Sequence, residues 1–356
     1  MKSRKIQVLT AFAIGAVCLY LFARKVENWP EVWAAMLQTH YGYFALAVLL
    51  SANSILIRAF RWQWLLGEPY VPVHRLFLIA NIGFMGNGVF PARMGELIRP
   101  FLVWRSTPHT FPTALATIVV ERIYDLLGLL LILAYVFYVF PFPSVGDSAG
   151  GDPQATIQYL AKLGVMVFLV LFGAIAVMTY APAWSLRAAR TVFQPLPQAV
   201  SGKLLKAVES FEQGANTFRK PKAFLYCLTW TMILWLSIAF SELVILWAMG
   251  ITEVGMAGAL FLMVGLCFAV MFPQAPGYLG PYQFAVQLIL AKTFRVDSGQ
   301  ATAAAWIMWL SQVPPVILLG FISLLIMGVS FKEIARVQEE IPPETPAAPP
   351  PPMGSS

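Results

Sequence analysis

Charged side chains are scarce in this chain. Asp, Glu, Lys and Arg make up 12% of its 356 residues, about half the share in an ordinary soluble domain. So few charges cannot cover a water-soluble surface, and 59% hydrophobic residues exceed what one globular core takes in. Histidine is nearly absent. His40, His74 and His109 stand apart without ligand spacing, so no zinc, haem or other cofactor is expected. Cys18, Cys227 and Cys267 fall in apolar segments without paired spacing, which argues against a disulfide framework. Alternating segments of ~10 residues, the mark of a membrane β-barrel, are missing too. Nothing between the apolar runs exceeds about 45 residues, so a soluble catalytic domain is not expected. The formal charge of +7 reads as cytoplasmic loops obeying the positive-inside bias rather than as a nucleic-acid surface.

Long apolar runs are what the chain has instead. About 20 apolar residues cross the ~30 Å hydrocarbon layer as a helix. Six runs are long enough: 6–23, 42–66, 113–139, 158–180, 223–249 and 300–328. Lys2, Arg4 and Lys5 before the first run imitate a signal peptide, but no small-x-small site follows, so the run is read as a retained span. Two further stretches, 76–105 and 255–292, are interrupted. The first break runs from Gly88 to Gly95 and contains Pro91; the second runs from Phe272 to Pro281 and contains Pro273, Pro276, Gly277 and Gly280. Proline removes a helix hydrogen bond and glycine weakens the helix. Backbone freed in this way must face protein or a wet cavity, not lipid. The expected fold is therefore an all-α, polytopic membrane protein with six full spans and two broken, re-entrant-like helical hairpins.

Charge sets the orientation. Lys2, Arg4 and Lys5 place the N-terminus in the cytoplasm. The connection 140–157 has no Lys or Arg and is outside; 181–222 carries seven and is inside. Arg58, Arg61, Arg75, Arg93, Arg99 and Arg105 surround the first hairpin, which then opens inside, and parity makes the second open outside. Lys332 and Arg336 bring the C-terminus back to the cytoplasm; Arg24 and Lys25 run against the pattern. The order span, span, hairpin, span occurs twice with opposite starts, an inverted-topology repeat of 1–157 and 158–335. Setting Gly83–Leu97 against Gly265–Leu279 gives five identities in fifteen positions. Such repeats mark many secondary transporters, with the substrate near the breaks. Residues 336–356 form a proline-rich tail that reads as disordered.

Three constellations carry chemistry. Arg93, Glu96 and Arg99 follow the first break at spacings of three, beside free helix N-terminal amides, an arrangement suited to phosphate. The plainer reading is an interfacial helix whose arginines meet headgroups. Glu121, Arg122 and Asp125 lie a third of the way into span 113–139. Glu121 and Asp125 share a face, so a cation such as Arg58, Arg61 or Arg93 lies between them, or one carboxyl is protonated. They form a coupling site or an ion-pair network closing the bundle. Glu242 lies deep in span 223–249 without an arginine near it in sequence, and an intramembrane carboxyl is a functional candidate. It would hold a coupling proton or a cationic headgroup, or simply pair with serine. Trp29, Trp33, Trp62, Trp64, Trp104 and Trp184 sit near span ends and read as interface anchors. Pro314 and Pro315 are expected to kink the last span.

In order along the chain stand Arg58-x-x-Arg61-Trp62, Asn87-x-x-x-Pro91-x-Arg93-x-Gly95-Glu96-x-x-Arg99, Glu121-Arg122-x-x-Asp125 and Pro276-Gly277-x-Leu279-Gly280. Together they resemble the transmembrane region of lysylphosphatidylglycerol synthases, also seen alone in a flippase-like family of membrane proteins. The resemblance spans about residues 6–330. It implies a lipid-handling domain like the flippase part of the multiple peptide resistance factor, which moves an aminoacylated phospholipid to the outer leaflet. Two departures limit this. The aminoacyl-transferase domain has no counterpart, so synthesis of lysylated lipid is not expected. The family's second break commonly continues Gly-x-x-Glu, whereas Gly280 is followed by Pro281, Tyr282 and Gln283, and Gln283 does not titrate.

The combined expectation is a flippase-like lipid transporter of the cell (inner) membrane. An anionic lipid, phospholipid or polyprenyl-phosphate-linked, would bind by its phosphate at Arg93 and Arg99, with Arg58, Arg61 and Glu96 nearby. Glu121, Arg122, Asp125 and Glu242 would couple protons or hold the closed state. The partners are membrane lipids and not nucleic acid. An accessory role beside an envelope-lipid biosynthesis partner, or an enzyme on lipid-linked sugars or phosphates, are the rivals.

Overall fold

The computed structural model describes residues 16–24, 28–90, 94–139, 221–270 and 276–335, with isolated positions between 166 and 201. Every regular element among them is helical. Residues 16–23 are helical, and ten named helices follow. These are α1 (Trp29–Leu37), α2 (Tyr41–Leu66), α3 (Val73–Val89), α4 (Gly95–Ser106), α5 (Phe111–Val139), α6 (Pro221–Ala248), α7 (Met256–Ala269), α8 (Pro281–Thr293), α9 (Ser298–Met327) and α10 (Phe331–Ala335). Among the described residues, α2, α6 and α9 are long and apolar enough to cross a membrane. α5 has 29 residues, which at 1.5 Å per residue also exceeds the ~30 Å layer. Its three charged residues are accounted for below. The exterior is apolar: Leu325 is 83% exposed and Leu49 66%, as side chains facing acyl chains should be.

Both expected breaks interrupt their helices. α3 ends at Val89 and α4 begins at Gly95; α7 ends at Ala269, and a 3₁₀ turn at Pro276–Tyr278 leads into α8. Each pair folds back on itself. In the first hairpin a Cβ at Gly95 would collide with the Gly83 carbonyl, and one at Gly83 with the Arg99 side chain. Only glycine lets the two backbones come so close. In the second, Gly277 and Gly280 have φ of 72° and 95°, a region L side chains rarely adopt. The Gln283 side chain accepts a hydrogen bond from the Gly280 N–H at 2.8 Å, and Pro281 opens α8, where its missing N–H costs nothing.

The boundaries elsewhere have local causes too. Asp297 caps α9 by accepting from the Gly299 and Gln300 amides at 2.8 and 3.1 Å. α9 ends at Gly328 in the left-handed conformation. The packing has two main apolar clusters. One joins α2 to the first hairpin and the start of α5, through Trp62, Leu76, Ile98 and Ile118. The other joins the end of α6 to the second hairpin and α9, through Ile245, Leu262, Val286 and Ala304. α2 lies along α6 and α3 along α9, which ties the two together. α10 docks on the first hairpin. Phe331 stacks on Phe90 and Phe321 at 5.2 and 5.9 Å, Glu333 pairs with Arg105, and Ile334 is fully buried.

α1 has no counterpart among the elements expected from the apolar runs. Span 158–180, the connections 140–157 and 181–222 as continuous segments, most of run 6–23, and the tail 336–356 lie outside the described residues. The same holds for Pro91, Arg93 and Pro273.

Candidate functional site

Five charged side chains meet in the interior. Arg58 and Arg61, three apart on α2, face Glu121 and Asp125, one turn apart on α5. Arg58 Nη1 lies 3.1 Å from Asp125 Oδ2 and 3.5 Å from Glu121 Oε1. Arg61 Nη1 lies 2.7 Å from Asp125 Oδ1, and its Nη2 3.1 Å from Glu121 Oε1. Arg99, from α4, reaches Glu121 Oε2 at 2.7 Å. All five are 9% exposed or less. The repulsion expected between the two carboxyls is thus answered by cations between them, and Arg58 and Arg61 are two of the three that the sequence offered.

The surroundings are built to hold guanidiniums. The Arg99 guanidinium lies over the Trp62 ring at 4.1 Å, and the Phe84 ring faces both Arg58 and Arg99. Aromatic faces attract cations, more so away from water. Trp62 is therefore no interface anchor: it is fully buried, with its indole N–H donated to Thr117 at 2.9 Å. Arg61 donates to the Thr231 hydroxyl on α6 at 2.6 Å. Three guanidiniums against two carboxylates leave this group one positive charge in excess. A buried charge without a counter-ion is costly, so the surplus favours an incoming anion.

Beside the cluster lies a cavity of about 290 Å³. It occupies the place where the two hairpin breaks meet α2, α5, α6 and α9. Asn87 and Gly88 from the end of α3, Glu96 from the start of α4, and Tyr278 and Tyr282 from the second break all border it. Arg58 presents the cluster's charge to it. Arg122, next to Glu121, points about 100° away around the helix and borders it too, bridged to Glu96 at 2.8 Å. That bridge is half-exposed, unlike the cluster behind it. Val313, Val316 and Ile317 of α9 make an aliphatic wall. Pro314 and Pro315 within α9 remove helix donors from the carbonyls four residues back, Leu310 and Ser311. A third broken ladder thus stands close to the cavity.

The other expected site residues are distributed as follows. The Arg99 guanidinium is turned into the cluster and paired with Glu121, while Arg93, its expected companion in gripping a phosphate, lies outside the described residues. The first turn of α4 is packed on α3 at Gly83 and Gly86. Gln283 is fully buried and serves the second break as its cap. The Gly277 carbonyl accepts a hydrogen bond from the Trp309 indole N–H at 2.6 Å. Glu242 is 2% exposed, and its Oε2 has no hydrogen-bond partner among the described residues. It does not border the cavity, whereas its neighbour Ser241 does. Sequence reasoning did not single out Thr231, Gln312, Ser51 or Ser54. Their one signal is polarity inside apolar spans, which many structural residues share. Among the described residues no His, Cys, Asp and Glu side chains gather as a metal site.

Apolar crossing helices around a buried charged centre, with a cavity at two broken hairpins, define an all-α integral membrane protein. The chain belongs to the family described as the lysylphosphatidylglycerol synthase transmembrane region, which matches residues 8–334. Among curated proteins it is similar to "Glycosyltransferase AglD" of Haloferax volcanii, at 25% identity over 326 residues. The match covers 85% of this chain and 51% of that protein, so the chain spans about half the length of this relative. No solved structure matches.

Proposed function

We propose that the protein carries a lipid with an anionic phosphate between the two leaflets of the cell (inner) membrane. The observation that supports this most is the cavity between the hairpin breaks, set against a buried cluster with one positive charge in excess. Arg58 and Arg122 would grip the phosphate, with Arg93 in the first break as a further ligand. Arg61 and Arg99 hold the surplus charge behind them. An incoming phosphate would compete with Glu96 for Arg122, which loosens the tie between α4 and α5. Arginine grips phosphate by paired hydrogen bonds, which lysine cannot reproduce.

The topology belongs to this reading: six spans, two re-entrant hairpins and both termini in the cytoplasm. Hairpins from two inverted halves would open the cavity to each side in turn. The equivalent glycines Gly83 and Gly265 both face the returning arm of their hairpin, against Arg99 and Ile289, which supports the repeat.

Reconstitution in liposomes with headgroup-quenchable fluorescent lipids tests the proposal. Protein-dependent exchange of an anionic lipid, reduced at least about tenfold by Arg58→Met with Arg122→Met, is the expected result. Exchange equal to that of empty liposomes sinks it. The name of the Haloferax relative favours one other reading, a part in glycosyl transfer on lipid-linked sugars. Turnover of a sugar nucleotide by the purified protein, with a polyprenyl phosphate as acceptor, would establish that reading instead.

A further inference from the structure

The interior holds a second acidic centre, of another kind. Glu121 and Asp125 are each met by guanidiniums. Glu242 of α6 is just as buried, yet it takes part in no ion pair among the described residues. Its Oε2 accepts no hydrogen bond there either. α2 and α6 run antiparallel, since Arg61 bonds Thr231 at one level and Ser241 bonds the Ala47 carbonyl at another. Glu242 therefore stands about 16 Å along α6 from the cluster's contact at Thr231. The cavity covers much of that interval. It extends from Arg58 to Ser51 on α2, about 10 Å, and takes in Ile238 and Ser241 of α6. Glu242 thus lies just behind the end of the cavity remote from the cluster.

Few titratable groups surround it. Cys267 of α7 and Tyr282 of α8 are within electrostatic reach, and neither is a cation. Lys292 lies about 15 Å further along α8 than Tyr282. α9 has no titratable residue. At the near end of α2, His40, Tyr41 and Tyr43 are exposed, as are Tyr20 and Arg24 before α1. On α5 and the rest of α2 the charges are those of the cluster and Arg122. Cys267 also senses Arg58 and Asp125, so both centres act on one side chain. The charge balance then links them. The cluster's surplus positive charge needs one negative charge in the interior. The phosphate of a bound lipid can answer it, and so can an ionised Glu242. Both together leave one negative charge in excess, which a dry interior disfavours as strongly. The balance is kept when a proton enters Glu242 as the phosphate enters the cavity.

We infer that Glu242 is the proton site of a coupled carrier, which moves one proton with each singly charged anionic lipid in the same direction. This rests on the phosphate-lipid reading above and deepens it. The proton comes from water on the side to which the cavity is open and converts the Glu242 carboxylate to the neutral acid. Lipid and proton then favour each other's binding to the same degree. With both in place the site closes without an unpaired charge. An opening on the other side wets Glu242, which gives up its proton there, and the negative charge it regains drives the phosphate out. Proton and lipid together carry no net charge, so the cycle is electroneutral.

The full chain in phosphatidylcholine vesicles with a trace of fluorescent phosphatidylglycerol tests the inference. Under a pH gradient, and after subtraction of empty vesicles, the probe should gather in the leaflet facing the alkaline side. One proton per lipid gives a bias of about tenfold per pH unit. A membrane potential set by potassium and valinomycin should not move it. Glu242→Gln, which fixes the neutral form, should lose the bias whatever its rate of exchange. Where the variant does not exchange at all, proton uptake in detergent decides. Near neutral pH a dye should read about one proton taken up per phosphatidylglycerol bound by the wild type, and none by Glu242→Gln. Exchange without a pH bias in the wild type, a bias that follows the potential, or a bias or uptake kept by Glu242→Gln overturns the inference and leaves the phosphate site standing. No protein-dependent exchange of the probe overturns the phosphate reading and the inference with it.

Discussion

Glu121→Gln should be among the most damaging single substitutions in this protein, and Arg58→Met much milder. Glu121 touches three guanidiniums, at 3.5, 3.1 and 2.7 Å, and is the one carboxylate paired with Arg99 among the described residues. Its neutralisation raises the buried excess from one positive charge to two and leaves Arg99 with a neutral amide and aromatic faces in place of a counter-ion. Breaking a buried pair by removing one partner costs about 3–5 kcal/mol. Removing Arg58 has the opposite effect on the balance. Arg61 still spans Glu121 and Asp125, Arg99 still meets Glu121, and the group becomes neutral, so a loss of roughly 1 kcal/mol is expected, as for one hydrogen bond. A double substitution separates charge from packing. Arg99→Met with Glu121→Gln returns the excess to its original value, so it should be more stable than Glu121→Gln alone, a non-additive result typical of contacting residues. Thermal unfolding in detergent, followed by a thiol dye that reacts when buried Cys227 is uncovered, reads all four proteins. A melting temperature for Glu121→Gln lower by roughly 6–20 °C follows from ~2–4 °C per kcal/mol. Equal drops for Glu121→Gln and Arg58→Met, or strict additivity in the double variant, would refute the charge argument.

Three further outcomes follow from the breaks and from α10. Gly95→Ala puts a methyl group into the Gly83 carbonyl, where backbone has little room to yield; a loss of about 3 kcal/mol, the upper range for overpacking, should show as poor yield of monodisperse protein. Gln283→Leu strands the Gly280 N–H and should cost about 1–3 kcal/mol, whereas Gln283→Glu keeps the acceptor but buries a carboxyl, so it should melt above Gln283→Leu where acid protonates that carboxyl; equal melting of the two variants at acid pH would contradict the capping role. Arg105→Ala removes a bridge whose arginine is half-exposed, so its effect on the melting temperature should stay within that of ~1 kcal/mol.

Much of the fold is written where the sequence is most extreme. The runs that become α2, α5, α6 and α9 are long and apolar, and each Pro/Gly cluster ends one helix and starts another within a few residues of its expected place. The need of Glu121 and Asp125 for a cation was legible because two carboxyls one turn apart in an apolar span are untenable alone. The partner of Arg99 was not. An arginine beside a break reads as free for a ligand, and only the approach of α4 to α5 shows that Glu121 takes it. Trp62 misled for a related reason: a tryptophan near a span end suits an interface, but the arginines on either side of its contacts draw it inward. Gln312 and Thr231 gave too little signal, since one neutral polar residue in a long apolar helix is common. α1 was hidden by its length of nine residues, too short for a periodic pattern to stand out.

The docking of α10 bears on how longer members of such a family could be wired. With Ile334 buried and Phe331 stacked on Phe90 at the lip of the first break, the chain leaves the bundle against the one part of the first hairpin that must shift if it opens. Whatever follows α10 in a longer relative would then be tied to a helix that feels that shift directly, and a partner seizing α10 could hold the hairpin still.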